Sequence, residues 1–283
     1  MNEKIDTTFF AGHESFYLRE GWLKKSLDIV EGKPYIFQGK YLKEAINSLG
    51  VGANMVKSMR YWLELCGLIC KKKDCYELTE IAILLRSHDP YFQHLSSLWI
   101  IHSLVAENSP LWRFIFIEQD LPVFDRLSVH DRVDSRLKEI GKKFAKKTIN
   151  DSISVFINTY LADKASSDPE NNIISPFSKL KIMNHFDNKF VFRTIDHSEF
   201  SPYLIYFLYL SDKSVEQIAQ REIYDKLRKI MRIESNSLRK VLDYLENQGV
   251  IRIDRAAGLN NIIKIKQFTR EKVFKKMLKD IVL

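Results

Sequence analysis

His13, Glu14 and Arg19 lie within one short segment and bring an imidazole, a carboxylate and a guanidinium close together in the chain. Cutting a phosphodiester calls for such groups: a base or metal ligand, a carboxylate, and a cation facing the charge on the phosphorus oxygens. The same residues also have a purely structural reading. In it His13 caps a helix, Glu14 supports the helix amino terminus and Arg19 pairs with an acid from the core. Metal-dependent nucleases usually display two or more carboxylates together, and no D-x-[DE]-x-K spacing locates a second one here. Metal ligands are therefore unassigned, and magnesium or manganese is the ion expected if the chain cuts DNA. The phosphate-cradling G-x-x-x-x-G-K-[ST] loop, the G-x-G-x-x-G turn and the H-E-x-x-H zinc spacing are all absent, which argues against ATPase, dinucleotide and zinc-protease chemistry.

A second set of residues suits contact with a polyanion. Asn54, Lys57, Ser58, Arg60 and Tyr61 fall on one predicted helix, with Lys71, Lys72 and Lys73 just beyond it. Near the other end, Asn236, Arg239 and Lys240 fall on another helix, followed by Arg252 and Arg255. Amides and cations at such positions can meet phosphates and base edges. The competing reading is that these modules dock proteins or pair with one another.

Both sets need elements to carry them. Apolar residues recur at roughly helical spacing from Phe16 to Val30, so a helix is expected from Ser15 onward, closed by Gly32 and Pro34. Residues 38–79 read as a short helix, a break at Gly50-Val51-Gly52, a second helix that Asn54 could cap, and a hairpin after Gly67. That order is a helix-turn-helix with a wing. Residues 213–266 repeat the plan: a short helix from Val215, further helical packing at Leu227 and Ile230, a helix capped by Ser235 or Ser237, and two strands around a turn at Gly258. Between the modules, Glu80 to Tyr160 reads as helical, with Trp99 and Trp112 as core residues and a basic face at Arg136, Lys138, Lys142, Lys143, Lys146 and Lys147. Such a face is either solvated surface or a track for phosphates. Polar residues 163–172, broken by Pro169, are the expected linker between an N-terminal domain, 1–162, and a C-terminal one, 173–283. The fold expected is mainly α with small β-hairpin wings, in two domains that contain winged helix-turn-helix-type modules.

Bulk properties agree without deciding. The chain has 283 residues, enough for two cores, and a formal charge of +8, which suits nucleic acid without requiring it. Cys66, Cys70 and Cys75 lack the paired C-x-x-C spacing of a structural zinc site; they read as one thiol ending a helix and two on adjoining strands, with a three-thiolate cluster the less favoured alternative. There is no secretory signal, and no apolar run approaches about 18 residues, so a cytoplasmic protein without membrane contact is expected.

Two blocks carry a resemblance. Phe10-Ala11-Gly12-His13-Glu14-Ser15-Phe16-Tyr17-Leu18-Arg19 with Trp22-Leu23-Lys24-Lys25, and Leu49 to Val56 running on to Arg60-Tyr61-Trp62, resemble an SspB-like family of bacterial DNA phosphorothioation systems. Leu78-Thr79, Asp89-Pro90-Tyr91, Leu98-Trp99 with His102, and Ser175-Pro176 are further similar pieces, in the expected order. Ala11 and Ser15 stand where many relatives are expected to have Ser and Thr. The resemblance implies a subunit that binds double-stranded DNA and nicks one strand for sulfur insertion, alongside a cysteine desulfurase, an ATPase and an ATP-pyrophosphatase-like protein. The alternatives are a non-catalytic DNA-binding adaptor or transcriptional regulator, and a protein scaffold that touches no nucleic acid. A homodimer is also open, because the aromatic run Tyr203 to Tyr209 suits either a core or an interface.

Overall fold

The computed structural model describes residues 12–163, 174–255 and 260–279. The chain is mainly helical, with small antiparallel sheets. By contacts it divides into two compact units: residues 1–93 with 101–192, and residues 94–100 with 193–283.

In the first unit, helix α1 (Trp22–Gly32) begins only after Gly21, whose φ of 79° suits glycine. Residues 16–19 are not helical, contrary to the sequence expectation, because Glu14 and Ser15 both adopt positive φ and turn the chain before a helix can start. The α1 residues Trp22, Leu23, Ser26, Leu27 and Val30 face the core. Helix α2 (Leu42–Leu49) stops at Gly50 in the left-handed region, and α3 (Ala53–Leu65) follows. Gly52 precedes α3 without a side-chain cap, so Asn54 is not the cap; its Oδ1 instead accepts from Lys57 Nζ at 3.3 Å. Val56, Met59, Trp62, Leu63 and Leu65 bury one side of α3, and the Trp62 indole donates to Phe16 O at 3.1 Å.

Strands β1 (Ile69–Lys72) and β2 (Cys75–Leu78) form the expected hairpin, pairing Ile69 with Leu78 and Lys72 with Cys75. Thr79 caps α4 (Glu80–His88) by accepting from Ala82 N–H at 3.2 Å. Cys66 is buried while Cys70 and Cys75 lie on β1 and β2, all as free thiols.

The helical middle follows: α5 (Leu95–Asn108), α6 (Pro110–Arg113) running into a π turn at Phe114–Glu118, α7 (Arg126–Glu139) and α8 (Lys146–Leu161). Trp112, Phe116, Phe156 and Tyr160 pack edge to face in the core. Tyr160 Oη satisfies two buried partners, accepting from Trp112 Nε1 and meeting His102 Nδ1, each at 2.9 Å. Trp99, on α5, is also buried.

The expected linker lies, apart from Asp163, outside the described residues. Beyond it the chain stays with the first unit. Ser175 Oγ donates to Thr159 O at 2.6 Å, and β5 (Lys189–Phe192) pairs with both β4 (Met183–Phe186) and β3 (Val123–Phe124). The division by contacts therefore falls at 192–193, later than the polar segment.

The second unit contains α9 (Tyr203–Tyr209), β6 (Gln217–Ala219), α10 (Gln220–Ile230), α11 (Ser235–Asn247), β7 (Ile251–Asp254), β8 (Asn261–Lys264) and α12 (Arg270–Lys279). Its sheet order is β6-β8-β7. Residues 217–219, expected as helix, form a strand because β8 offers them a partner. Neither Ser235 nor Ser237 caps α11; Ser237 Oγ donates instead to Asp196 at 3.1 Å. Tyr203 to Phe207 are buried, so the aromatic run is core. The turn expected at Gly258 lies outside the described residues. No helix among the described residues is long and apolar enough to cross a membrane.

Candidate functional site

The turn at residues 12–15 is a constrained surface feature of the first unit. Glu14 (φ 48°) and Ser15 (φ 63°) occupy the left-handed region in succession, which costs an L-residue on the order of 1–2 kcal/mol each. Such backbone persists only where its surroundings impose it. His13 does so here. Its Nδ1 accepts from the Ser15 backbone N–H at 3.0 Å, its Nε2 lies 3.1 Å from Ser152 Oγ, and its carbonyl accepts from Phe16 N–H at 2.7 Å. Because Nδ1 accepts, the ring N–H of the neutral tautomer sits on Nε2 and donates to Ser152 Oγ, whose own O–H donates to Thr148 O at 2.9 Å. The ring is only 3% exposed and edges against Tyr61 at 5.9 Å. His13 thus braces the turn, and neither ring nitrogen is presented to solvent as a general base.

The braced turn holds two side chains at the surface. The Glu14 carboxylate lies 3.6 Å from Lys57 Nζ on α3, and Ser15 Oγ lies 3.5 Å from Asp151 Oδ2 on α8. Asp151 is the second carboxylate that sequence spacing could not locate. Lys147 precedes Asp151 by one helical turn, so α8 carries cation and carboxylate on the same face.

Arg19 stands apart from this group. Its guanidinium stacks against Phe16, Tyr17 and Trp22 at 5.4, 5.8 and 5.5 Å, and it makes no ion pair with any described residue. The three residues of the sequence constellation therefore take separate tasks. Among the described residues no group of three or more His, Cys, Asp or Glu could hold a metal ion, so they supply no closed ligand set for the expected magnesium or manganese.

Burial sorts the residues expected to meet DNA. Asn54 and Lys57 are exposed, and Arg60 is half-buried with its Nε sealed from solvent. Ser58 and Tyr61 are withdrawn from the surface: they lie on the inward side of α3, Ser58 Oγ is 3.5 Å from Phe16 O, and the Tyr61 phenol, bonded to Ser109, is pushed well up in pKa by burial. Lys71, Lys72 and Lys73 are exposed on the hairpin, with Lys72 paired to Glu77. In the second unit Asn236, Arg239 and Lys240 share the outer face of α11, and Arg239 donates to Asn236 Oδ1 at 3.1 Å. Arg252 and Arg255 are exposed, Arg255 being tied to Glu246 at 3.0 Å and holding that carboxyl below its usual range.

Beyond these residues, Lys142 and Lys143 just before α8 and Lys146 and Lys147 in its first turn are exposed, and none has an ion pair among the described residues. Their run of like charge was visible in the sequence. The expected single basic face is divided, with Arg136 and Lys138 on α7, Lys142 and Lys143 in the connection, and Lys146 and Lys147 on α8 with Asp151, because the chain breaks between the two helices.

A family model described as a protein of unknown function, DUF4007, matches residues 10–281. The chain belongs to the DUF4007 family. A comparison with curated proteins finds no match. Among solved structures, this DUF4007 protein is similar in fold to a magnesium ion-bound SspB crystal structure, with a TM-score of 0.78 and 19% identity over 96% of this chain and 87% of that one. A second SspB crystal structure has a TM-score of 0.77, with the same identity and coverage. An SspB-like fold is therefore established for the DUF4007 chain, at an identity that speaks for fold alone.

Proposed function

We propose that this DUF4007 protein binds duplex DNA and nicks one strand as a subunit of a DNA phosphorothioation system. The observation that carries the proposal is the braced turn that sets Glu14 and Ser15 against Asp151 and Lys57. Hydrolysis of a phosphodiester adds water to phosphorus and expels one ester oxygen, so a proton must leave the water and another must reach the departing oxygen. The Asp151 carboxylate beside Ser15 suits the first transfer, with Glu14 on the same turn as a second acid, and Lys57, with the lysines around the start of α8, suits the phosphate charge.

Further support comes from the likeness in fold to SspB, one of whose structures is described as magnesium-bound. The second unit adds a helix–strand–helix–helix–strand–strand succession with sheet order β6-β8-β7, which fits a winged helix using α11 as its reading helix. The hairpin at 69–78 after α3 fits a simpler module of the same kind. On this reading the partners are duplex DNA and the desulfurase, ATPase and ATP-pyrophosphatase-like proteins of such systems.

A supercoiled-plasmid assay with magnesium or manganese tests the proposal. Conversion to open circles, lost in Glu14→Gln and Asp151→Asn while gel shifts persist, is the expected result. Unchanged plasmid with retained gel shifts would instead identify a non-catalytic adaptor. Negligible duplex binding at about 50 mM salt, where several lysine–phosphate contacts should give strong association, would identify a protein scaffold.

A further inference from the structure

A cavity of about 260 Å³ opens beside the first turn of α1, walled by Arg19, Gly21, Lys24, Tyr91, Phe92 and Gln93 among others. The charged side chains of the wall are matched, with one exception. Glu20 is neutralised by Lys179 at 2.6 Å, Lys179 also donates to Gln93 Oε1 at 3.0 Å, and the Gln93 amide donates to Tyr91 O at 3.2 Å. Lys24 is shared between Asp28 and the face of Tyr91, 5.2 Å from the ring centroid. Arg19 is the exception: three aromatic rings hold its guanidinium, its Nε is sealed from solvent with no acceptor, and no described carboxylate answers its charge.

We infer that this cavity binds a phosphate ester, specifically a nucleoside monophosphate. A guanidinium fixed by stacking has already lost most of its rotational freedom, and its planar fork matches two phosphate oxygens at once. Partial desolvation without a counter-charge is unfavourable, so an anion beside the guanidinium relieves that cost. Lys24 lines the same wall and, although its charge is shared with Asp28, its ammonium adds N–H donors that a phosphate's several oxygens can use. The backbone agrees, since α1 starts at Trp22, just after Gly21, with no side-chain cap and no acid in its first turn. Tyr91, 63% exposed at the mouth, offers a flat surface on which a base can stack. The volume is just under the roughly 300 Å³ at which drug-sized ligands begin to fit, which suits one nucleotide and no more. This inference goes beyond duplex binding and can stand without it.

Titration calorimetry on the full chain tests it, using thymidine monophosphate, thymidine and inorganic phosphate. Saturable binding of thymidine monophosphate is expected, weakened by about tenfold or more, equivalent to ~1.4 kcal/mol, when the phosphate is removed or in Arg19→Gln. Tyr91→Ala should weaken the nucleotide but leave inorganic phosphate unchanged. Lys24→Gln should also weaken the nucleotide, and it keeps the charge test readable if Arg19→Gln does not fold. Two sources of phosphate are separated by competition. Displacement of the nucleotide by a nicked duplex bearing a 5′-phosphate assigns the pocket to DNA ends, whereas no displacement assigns it to free nucleotides; both support the phosphate site. No saturable binding to the wild-type chain, or undiminished binding in a folded Arg19→Gln or Lys24→Gln variant, overturns it.

Discussion

Ser15 Oγ stands 3.5 Å from Asp151 Oδ2 across a sequence gap of 136 residues, and the neighbouring pair, His13 and Ser152, meets at 3.1 Å. The buried contact secures the exposed one. His13 and Ser152 fasten the turn to α8 from within, and this presents Glu14 and Ser15 to Asp151 and Lys57 at the surface.

His13→Ala therefore acts first on stability. It leaves the Ser15 N–H and Ser152 Oγ without their ring partner, each a loss of about 1–3 kcal/mol if unmet by water. Urea unfolding should register a lower midpoint with an unchanged slope. A midpoint equal to wild type would mean that the ring does not brace the turn.

The lysines around the start of α8 are expected to act through phosphate charge. Replacing Lys142, Lys143, Lys146 and Lys147 together by Gln should weaken duplex binding regardless of sequence. It should also flatten the dependence of log K on log salt by up to about 0.9 for each contact removed. Arg239→Ala with Lys240→Ala makes the same test of α11. An unaltered salt slope in either variant removes that surface from the interface.

Asp196 governs an acid-sensitive part of the second unit. The Ser198 backbone N–H, then the Ser198 hydroxyl, His197 and Ser237, hold its carboxyl far below the ordinary aspartate range. A depressed folded-state pKa contributes stability that is complete above the unfolded value of about 3.9 and fades as the pH drops toward the folded one. Asp196→Asn should lower the Tm at neutral pH and shrink the difference between variant and wild type below pH 4. A gap that stays constant as the pH falls would contradict the assignment.

Phe156 is fully buried among Trp112, Phe116, Phe124 and Tyr160. Phe156→Ala should cost about 3–5 kcal/mol, the usual range for emptying an aromatic site in a core. Denaturant unfolding measures the loss, and a change under 1 kcal/mol would show that the cluster collapses around the gap.

Local pattern carried much of the architecture. Gly50 ends α2 and Gly67 follows α3, each with the positive φ that glycine allows, as the sequence implied, and Gly249 follows α11 for the same conformational reason. The errors cluster where a partner distant in sequence overrides local preference. β8 draws residues 217–219 into a sheet, Asp196 takes Ser237 away from capping, and His13 bends the chain where apolar spacing alone suggested a helix.

Ser58 and Tyr61 show the same limit at the surface. Their types and spacing suit DNA contact, but the rotation of α3 against its neighbours turns both inward while Asn54 and Lys57 face solvent. The order of residues thus dictates the mainly helical character, the turn positions and the stock of cations, because each depends on side chains a few positions apart. Which carboxylate faces Ser15, and that Arg19 has no acid beside it among the described residues, emerge only on packing, because contacts spanning more than a hundred residues leave no trace in any local periodicity.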